Sequence, residues 1–194
     1  YEKEHNGVLM ISILSHVVEF RNSESGQHVL HIRTLTDLLL HQLVQKTDRY
    51  QLDESDISLI STASALHDIG KIMIPEEILN KPGRLTEEEY ATIKTHTTEG
   101  ARILKGLAIG QDEPLVKVAH AICRWHHERW DGGGYPDRLK GDEIPIAAQV
   151  VALADVYDAL TSERCYKQSY SHEKAVDMIM HLSLIHISEP TRPY

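Results

Sequence analysis

Apolar residues recur at helical spacing along almost the whole chain, and strand-like alternation is confined to short stretches. Val8, Ile11, Leu14, Ser15 and Val18 follow one such rhythm, and Gln27–Val44 continues it. Asp53 or Ser55 can cap a helix through Ile57, Ile60 and Leu66, with Gly70 as its stop. Lys81-Pro82-Gly83 reads as a turn, and Thr86 with Glu89 forms the capping-box pattern of the next helix. A further helix is expected over Pro114–His127, ending in the Gly132-Gly133-Gly134 loop. Pro145 suits the first turn of a helix reaching Leu160, and Ser171 caps a last one through Met180. The expected fold class is all-α, a helical bundle.

The bulk numbers narrow the function. A chain of 194 residues has room for one ordinary domain. No apolar run approaches the ~20 residues of a membrane span, and Val8–Phe20 lacks the charged start and cleavage site of a signal peptide. Two cysteines give no disulfide framework, which points to a reducing cytoplasm. A net charge of −9 argues against polymeric nucleic acid as a partner. A small anionic substrate stays open, because bound metal ions reverse the local field.

Thirteen histidines is a high count, and several of them stand beside carboxylates. His67-Asp68 is an adjacent pair. Neighbours on a helix differ by about 100°, so both reach one pocket only if it lies between their directions. Two metal ions would meet that condition, with the carboxylate bridging them. Glu24 and His28 are spaced i,i+4, which suits a shared metal and equally a surface helix pair. His96 alone reads as a surface histidine. His126-His127 precedes the glycine loop and offers two imidazoles. Asp155 interrupts a largely apolar run, where a carboxylate costs several kcal/mol unless paired or bound to a cation. Each signal is modest alone, but together they favour a multinuclear metal site.

The motifs behind these residues are long. ESGQHV (24–29), HDIGKIMIP (67–75), NKPGRLTEEEY (80–90), KTH (94–96), HHERWDGGGYP (126–136) and ADVYDALTSERCYK (154–167) resemble the HD-GYP family. That family is a branch of the HD metal-dependent phosphohydrolases. The resemblance implies an all-helical HD fold and hydrolysis of cyclic di-GMP to linear pGpG and often on to GMP. It implies that His28, His67, Asp68, His96, His126, His127 and Asp155 are metal ligands, with Glu24 completing a third site. Two or three divalent ions are expected, iron or manganese rather than zinc. Lys71 matches an active-site lysine, Arg164 and Lys167 match phosphate-holding residues, and Tyr135 lines the same pocket.

In the mechanism so implied, a hydroxide held between two cations attacks phosphorus in line with the leaving 3′ oxygen. Asp68 bridges the ions. Lys71 stabilises the phosphoryl charge or protonates the leaving group, unless it is only a helix C-terminal lysine offsetting the dipole. Two other functions remain open: hydrolysis of another cyclic dinucleotide, or a weakly catalytic module binding diguanylate cyclase domains through Gly134-Tyr135-Pro136.

Residues 1–23 are expected to be a connector helix from an upstream sensor or receiver domain, and 24–181 the catalytic domain. Leu182–Arg192 reads LSLIHISEPTR and resembles the translation of a transposon-end adapter used in sequencing libraries. Residues 182–194 are therefore expected to be a non-native tail on a C-terminally truncated domain. The remaining histidines are expected to serve packing or surface roles, and Trp125 and Trp130 to be packing residues rather than base-stacking platforms.

Overall fold

A computed structural model describes residues 2–21, 27–107, 112–162 and 169–185, and shows no strand among them. The elements are α1 (Glu2–Arg21), α2 (Gln27–Lys46), α3 (Glu54–Ser64), a 3-10 segment (Ile69–Met73), α4 (Glu76–Leu79) and α5 (Glu87–Lys94). Then follow α6 (His96–Lys105), α7 (Pro114–Trp125), a 3-10 turn (Gly141–Glu143), α8 (Ile146–Thr161) and α9 (His172–Ile185). The all-α expectation is borne out. The expected tail falls largely outside the described residues, as do Glu24, Arg164 and Lys167.

Local chemistry explains most helix starts. Asp53 caps α3, accepting from the Asp56 amide while Asp56 accepts from the Asp53 amide. Thr86 and Glu89 exchange the same pair of bonds at α5, and Lys81 Nζ binds the Glu89 carboxylate. Pro145, with its fixed φ, precedes α8.

α8 is the axis of the bundle. Its Ala147, Ala148, Val150, Val151, Ala154 and Val156 are all buried, so it is apolar on most sides and must be enclosed. α2 and α7 pack on it, α3 fits between α2 and α7, and α6 lies along α7. Ile32, Leu40, Ile57, Ile60, Ile122 and Val151 form the main core. α9 closes the far end of α8 through Ala175 and Ile179.

One expectation is corrected. The helix carrying His67-Asp68 does not run as α-helix to Gly70; α3 ends at Ser64. From Ala65 onward, amides bond three residues back: Leu66 to Ala63, His67 to Ser64, Ile69 to Leu66, Lys71 to Asp68. At three residues per turn, side chains at i and i+3 eclipse, so Lys71 falls directly over Asp68.

Gly70 is not a helix stop either. A Cβ there would lie 1.9 Å from the His96 carbonyl oxygen and 2.5 Å from the Gly100 nitrogen. The glycine lets the 3-10 segment touch the start of α6, which sets Asp68 beside His96. Gly70→Ala should therefore cost about 3 kcal/mol or more, since backbone has to move. Gly7→Ala, in open space within α1, should be neutral or stabilising by about 0.5–1 kcal/mol. Urea unfolding of both variants checks the pair, and equal midpoints would contradict the contact.

Candidate metal centre

Two triads face one another in the middle of the bundle. His28, His67 and Asp155 bring one ligand atom each within 4.8 Å of one another, and His96, His126 and His127 do the same. α2, the turn after α3, and α8 supply the first triad; the start of α6 and the end of α7 supply the second. Asp68 stands between them. Its Oδ2 lies 3.2 Å from His67 Nε2, and its Oδ1 lies 3.3 Å from His96 Nε2 and 3.9 Å from His126 Nε2. Every candidate ligand that falls in the described residues thus converges on one place.

The ring orientations are fixed from behind. His67 Nδ1 donates to the Ser64 carbonyl (2.9 Å), His96 Nδ1 to Ile93 (2.7 Å) and His126 Nδ1 to Ile122 (2.9 Å). A carbonyl can only accept, so each Nδ1 carries a proton and each Nε2 faces the pocket. His96 Nε2 and His126 Nε2 face each other at 3.4 Å. Where both nitrogens present lone pairs, these repel at that distance unless positive charge lies near them.

A buried orphan on each side adds to this. His67 Nε2 and Asp68 Oδ1 are buried without a hydrogen-bond partner among the described residues. Such atoms cost free energy unless something binds them. The donors are imidazole nitrogens and carboxylate oxygens, with no thiolate. Cys123 is near but donates its thiol to the Leu66 carbonyl, and burial pushes its ionisation up. This donor set fits first-row divalent metals.

Electrostatics agree. Burial opposes the charge on Asp68, yet Lys71 and His67 outweigh it and hold the carboxyl well below its ordinary range. Burial also opposes a charged His67, but Asp68 and Asp155 raise it to about 9. Burial, with His67 and His96 adding to it, pushes His126 well down; burial and His126 do the same to His127. In the second triad His126 and His127 are thus held as neutral imidazoles, and the carboxylates beside the first attract a cation. Lys71 Nζ contacts Asp68 Oδ2 at 2.7 Å, as the eclipsed spacing requires.

Two acids were not singled out by sequence reasoning. Asp158, 3% exposed, accepts from His28 Nδ1 (2.6 Å), His31 Nδ1 (2.8 Å) and Ser162 Oγ (2.8 Å). It orients His28 as the carbonyls orient the others, and it gives His31 a partner where a plain surface role was expected. Its signal was available: it lies three residues after Asp155 on the same helix.

Glu128, the residue after His127, accepts the amides of Asp137 (2.6 Å), Arg138 (3.0 Å) and Leu139 (3.0 Å). It pins the loop that carries Tyr135, whose ring stacks on His127 with centroids 4.9 Å apart. Gly134 is required there, because a Cβ would lie 2.4 Å from the Arg129 nitrogen. Trp125 braces the same loop through Asp137, whereas Trp130 is 55% exposed, contrary to a packing role.

The HD domain family matches residues 10–187. A 3′3′-cGAMP-specific phosphodiesterase of Vibrio cholerae is 41% identical over 167 residues, 86% of this chain and 30% of its own length. A cyclic di-GMP phosphodiesterase of Thermotoga maritima is 40% identical over 174 residues, 90% of this chain and 44% of its own. The crystal structure of a cyclic GMP-AMP specific phosphodiesterase of V. cholerae superposes with a TM-score of 0.62 at 22% identity, covering 91% of this chain and 44% of that one. That last likeness concerns the fold alone. The chain spans between 30% and 44% of the length of these relatives.

Asp158→Asn should leave His28 badly oriented and weaken metal binding by about 10- to 100-fold. Competition against a graded series of chelators measures this, and unchanged affinity would separate Asp158 from the centre.

Proposed function

We propose, from the premise that this chain belongs to the HD domain family, that its buried centre hydrolyses a phosphodiester of a cyclic dinucleotide. Cyclic di-GMP is the first candidate, giving linear pGpG and, on a second cleavage, GMP. The observation that carries the reading is Asp68, with one oxygen towards each triad. The names of the relatives divide between cyclic di-GMP and 3′3′-cGAMP, so the mixed dinucleotide is the second candidate.

In this reading His28, His67 and Asp155 would hold one divalent ion, and His96, His126 and His127 another, with Asp68 offering an oxygen towards each triad. A third ion would draw on Glu24. Iron or manganese suits a site of imidazole and carboxylate without thiolate. With metals bound, the centre gains a water acidified towards neutrality and positive charge to clamp phosphoryl oxygens.

The protein's own groups do the rest. The carbonyls behind His67, His96 and His126 and the carboxylate behind His28 fix the ligand geometry before substrate arrives. Lys71 Nζ stands at the edge of the centre, where it offsets charge on the phosphoryl group or gives its proton to the leaving 3′ oxygen. Tyr135 forms part of the rim, and Arg164 and Lys167 supply phosphate contacts as a fork and a point charge. The alternative is a signalling module that binds diguanylate cyclase domains through Gly134-Tyr135-Pro136. Among the described residues no helix is long and apolar enough to cross a membrane; a cytoplasmic setting, downstream of a sensor or receiver domain, fits the proposal.

The test is anaerobic purification, reloading with Fe(II) or Mn(II), and incubation with cyclic di-GMP, 3′3′-cGAMP and cyclic di-AMP. Linear product and roughly two ions per chain are expected. Asp68→Ala should lose metal and bring turnover below about a thousandth of the unmodified rate. Full metal loading with no product from any substrate would favour the binding module instead.

A further inference from the structure

Arg21, the last residue of α1, reaches into the back of the segment that carries Lys71. Its Nη1 donates to the carbonyls of Lys71 (3.4 Å) and Ile72 (2.5 Å), and its Nη2 to that of Ile74 (2.9 Å). In return, Asn80 Nδ2 donates to the Arg21 carbonyl at 3.0 Å. Of the carbonyls that Arg21 holds, that of Lys71 also accepts the Ile74 amide, which closes the 3-10 segment, so the guanidinium adds to the segment's own bonding there. A planar guanidinium with five donors in a fork can collect several carbonyls at once, which an ammonium cannot.

The segment has a second anchor at its other end, where Gly70 is pressed against the His96 carbonyl and Gly100. Lys71 lies between these two fixed points. Its side chain projects to Asp68 while its own carbonyl is one of the three that Arg21 holds. α1 packs on this segment and on α2, and Arg21 links it by hydrogen bonds to the backbone that carries Lys71.

We propose that Arg21 is a positioning residue for Lys71, so that the placement of the lysine over the phosphoryl group is set from α1. This rests on the reading of Lys71 as a group that acts on substrate. Among the described residues Arg21 bonds to no candidate metal ligand, and it acts through the 71–74 backbone. A shift of α1 along or about its axis therefore moves the lysine without rearranging the two triads.

The experiment compares Arg21→Ala, Arg21→Lys and the control Phe20→Ser, whose parent side chain is 80% exposed on the same helix. In the metal-loaded full chain, Arg21→Ala should lower kcat by about tenfold with KM changed by less than about twofold and metal content unchanged. Arg21→Lys should recover part of the loss, and Phe20→Ser should match the unmodified protein. In a Lys71→Ala background, Arg21→Ala should cause no further fall, because the residue acts through the lysine. Independent losses that add, or a loss explained by lower metal content, would overturn the proposal.

Two readouts need no turnover. Hydrogen exchange over residues 69–75 and the rate at which Lys71 is acylated by a small ester should both rise severalfold in Arg21→Ala, with α3 and α7 unchanged. If the unmodified protein hydrolyses nothing, the function proposed above fails. The exchange and acylation results still decide whether Arg21 holds Lys71, and unchanged values in both would refute it. Should Arg21→Ala fail to fold, Arg21→Gln carries the same comparison.

Discussion

A carboxylate with one oxygen towards each of two imidazole clusters is an expensive thing to bury, and the bundle is arranged around Asp68 to make it possible. The charge is countered at close range by Lys71 and His67. The rings of His67, His96 and His126 are held through Nδ1 so that Nε2 looks inward. The geometry sets Nε2 of His96 and of His126 3.4 Å apart and leaves an oxygen and a nitrogen buried without hydrogen bonds among the described residues. A folded protein tolerates a cluster of such costs where a ligand relieves them. The triads therefore act as a single device, and a change at Asp68 is felt on both sides.

Much of this was legible in the sequence, for physical reasons that differ from residue to residue. Helical periodicity and the caps at Asp53 and Thr86 are local signals, and they hold because capping depends on residues three apart, while Pro145 marks the start of α8 by its fixed φ. His28, His67, Asp68, His96, His126, His127 and Asp155 were recognisable because polar residues of metal-ligand chemistry stood in long motifs, and the fold brings them all together. Asp158 escaped because its partner His28 is 130 residues away, and an acid on a helix ordinarily faces water. Glu128 escaped because a carboxylate next to two histidines draws the eye to metal, whereas its work is to collect loop amides. Gly70 was misread because a glycine after a helical stretch is most often a terminus, and only the tertiary structure reveals α6 pressed against it. Glu24, Arg164 and Lys167 lie outside the described residues.

The change from α-helix to 3-10 helix after Ser64 has effects beyond local geometry. An α-helical continuation would set Lys71 about 60° around the axis from Asp68, and the glycine contact with α6 would be lost. The tighter helix aligns acid and base on one edge, and its last carbonyls become the surface that Arg21 grips. One irregular stretch of backbone thus serves ligand placement, charge balance and the attachment of the first helix.

Glu128 ties the rim of the pocket to its floor. The backbone that presents His126 and His127 continues directly into the carboxylate that organises residues 137–139, and Tyr135 lies flat on one of those imidazoles. Lengthening or reshaping that loop would therefore be passed to His126 and His127 within two residues. Under the proposed function, a change of preferred nucleobase would proceed by exchanging side chains on this rim while its backbone kept its course.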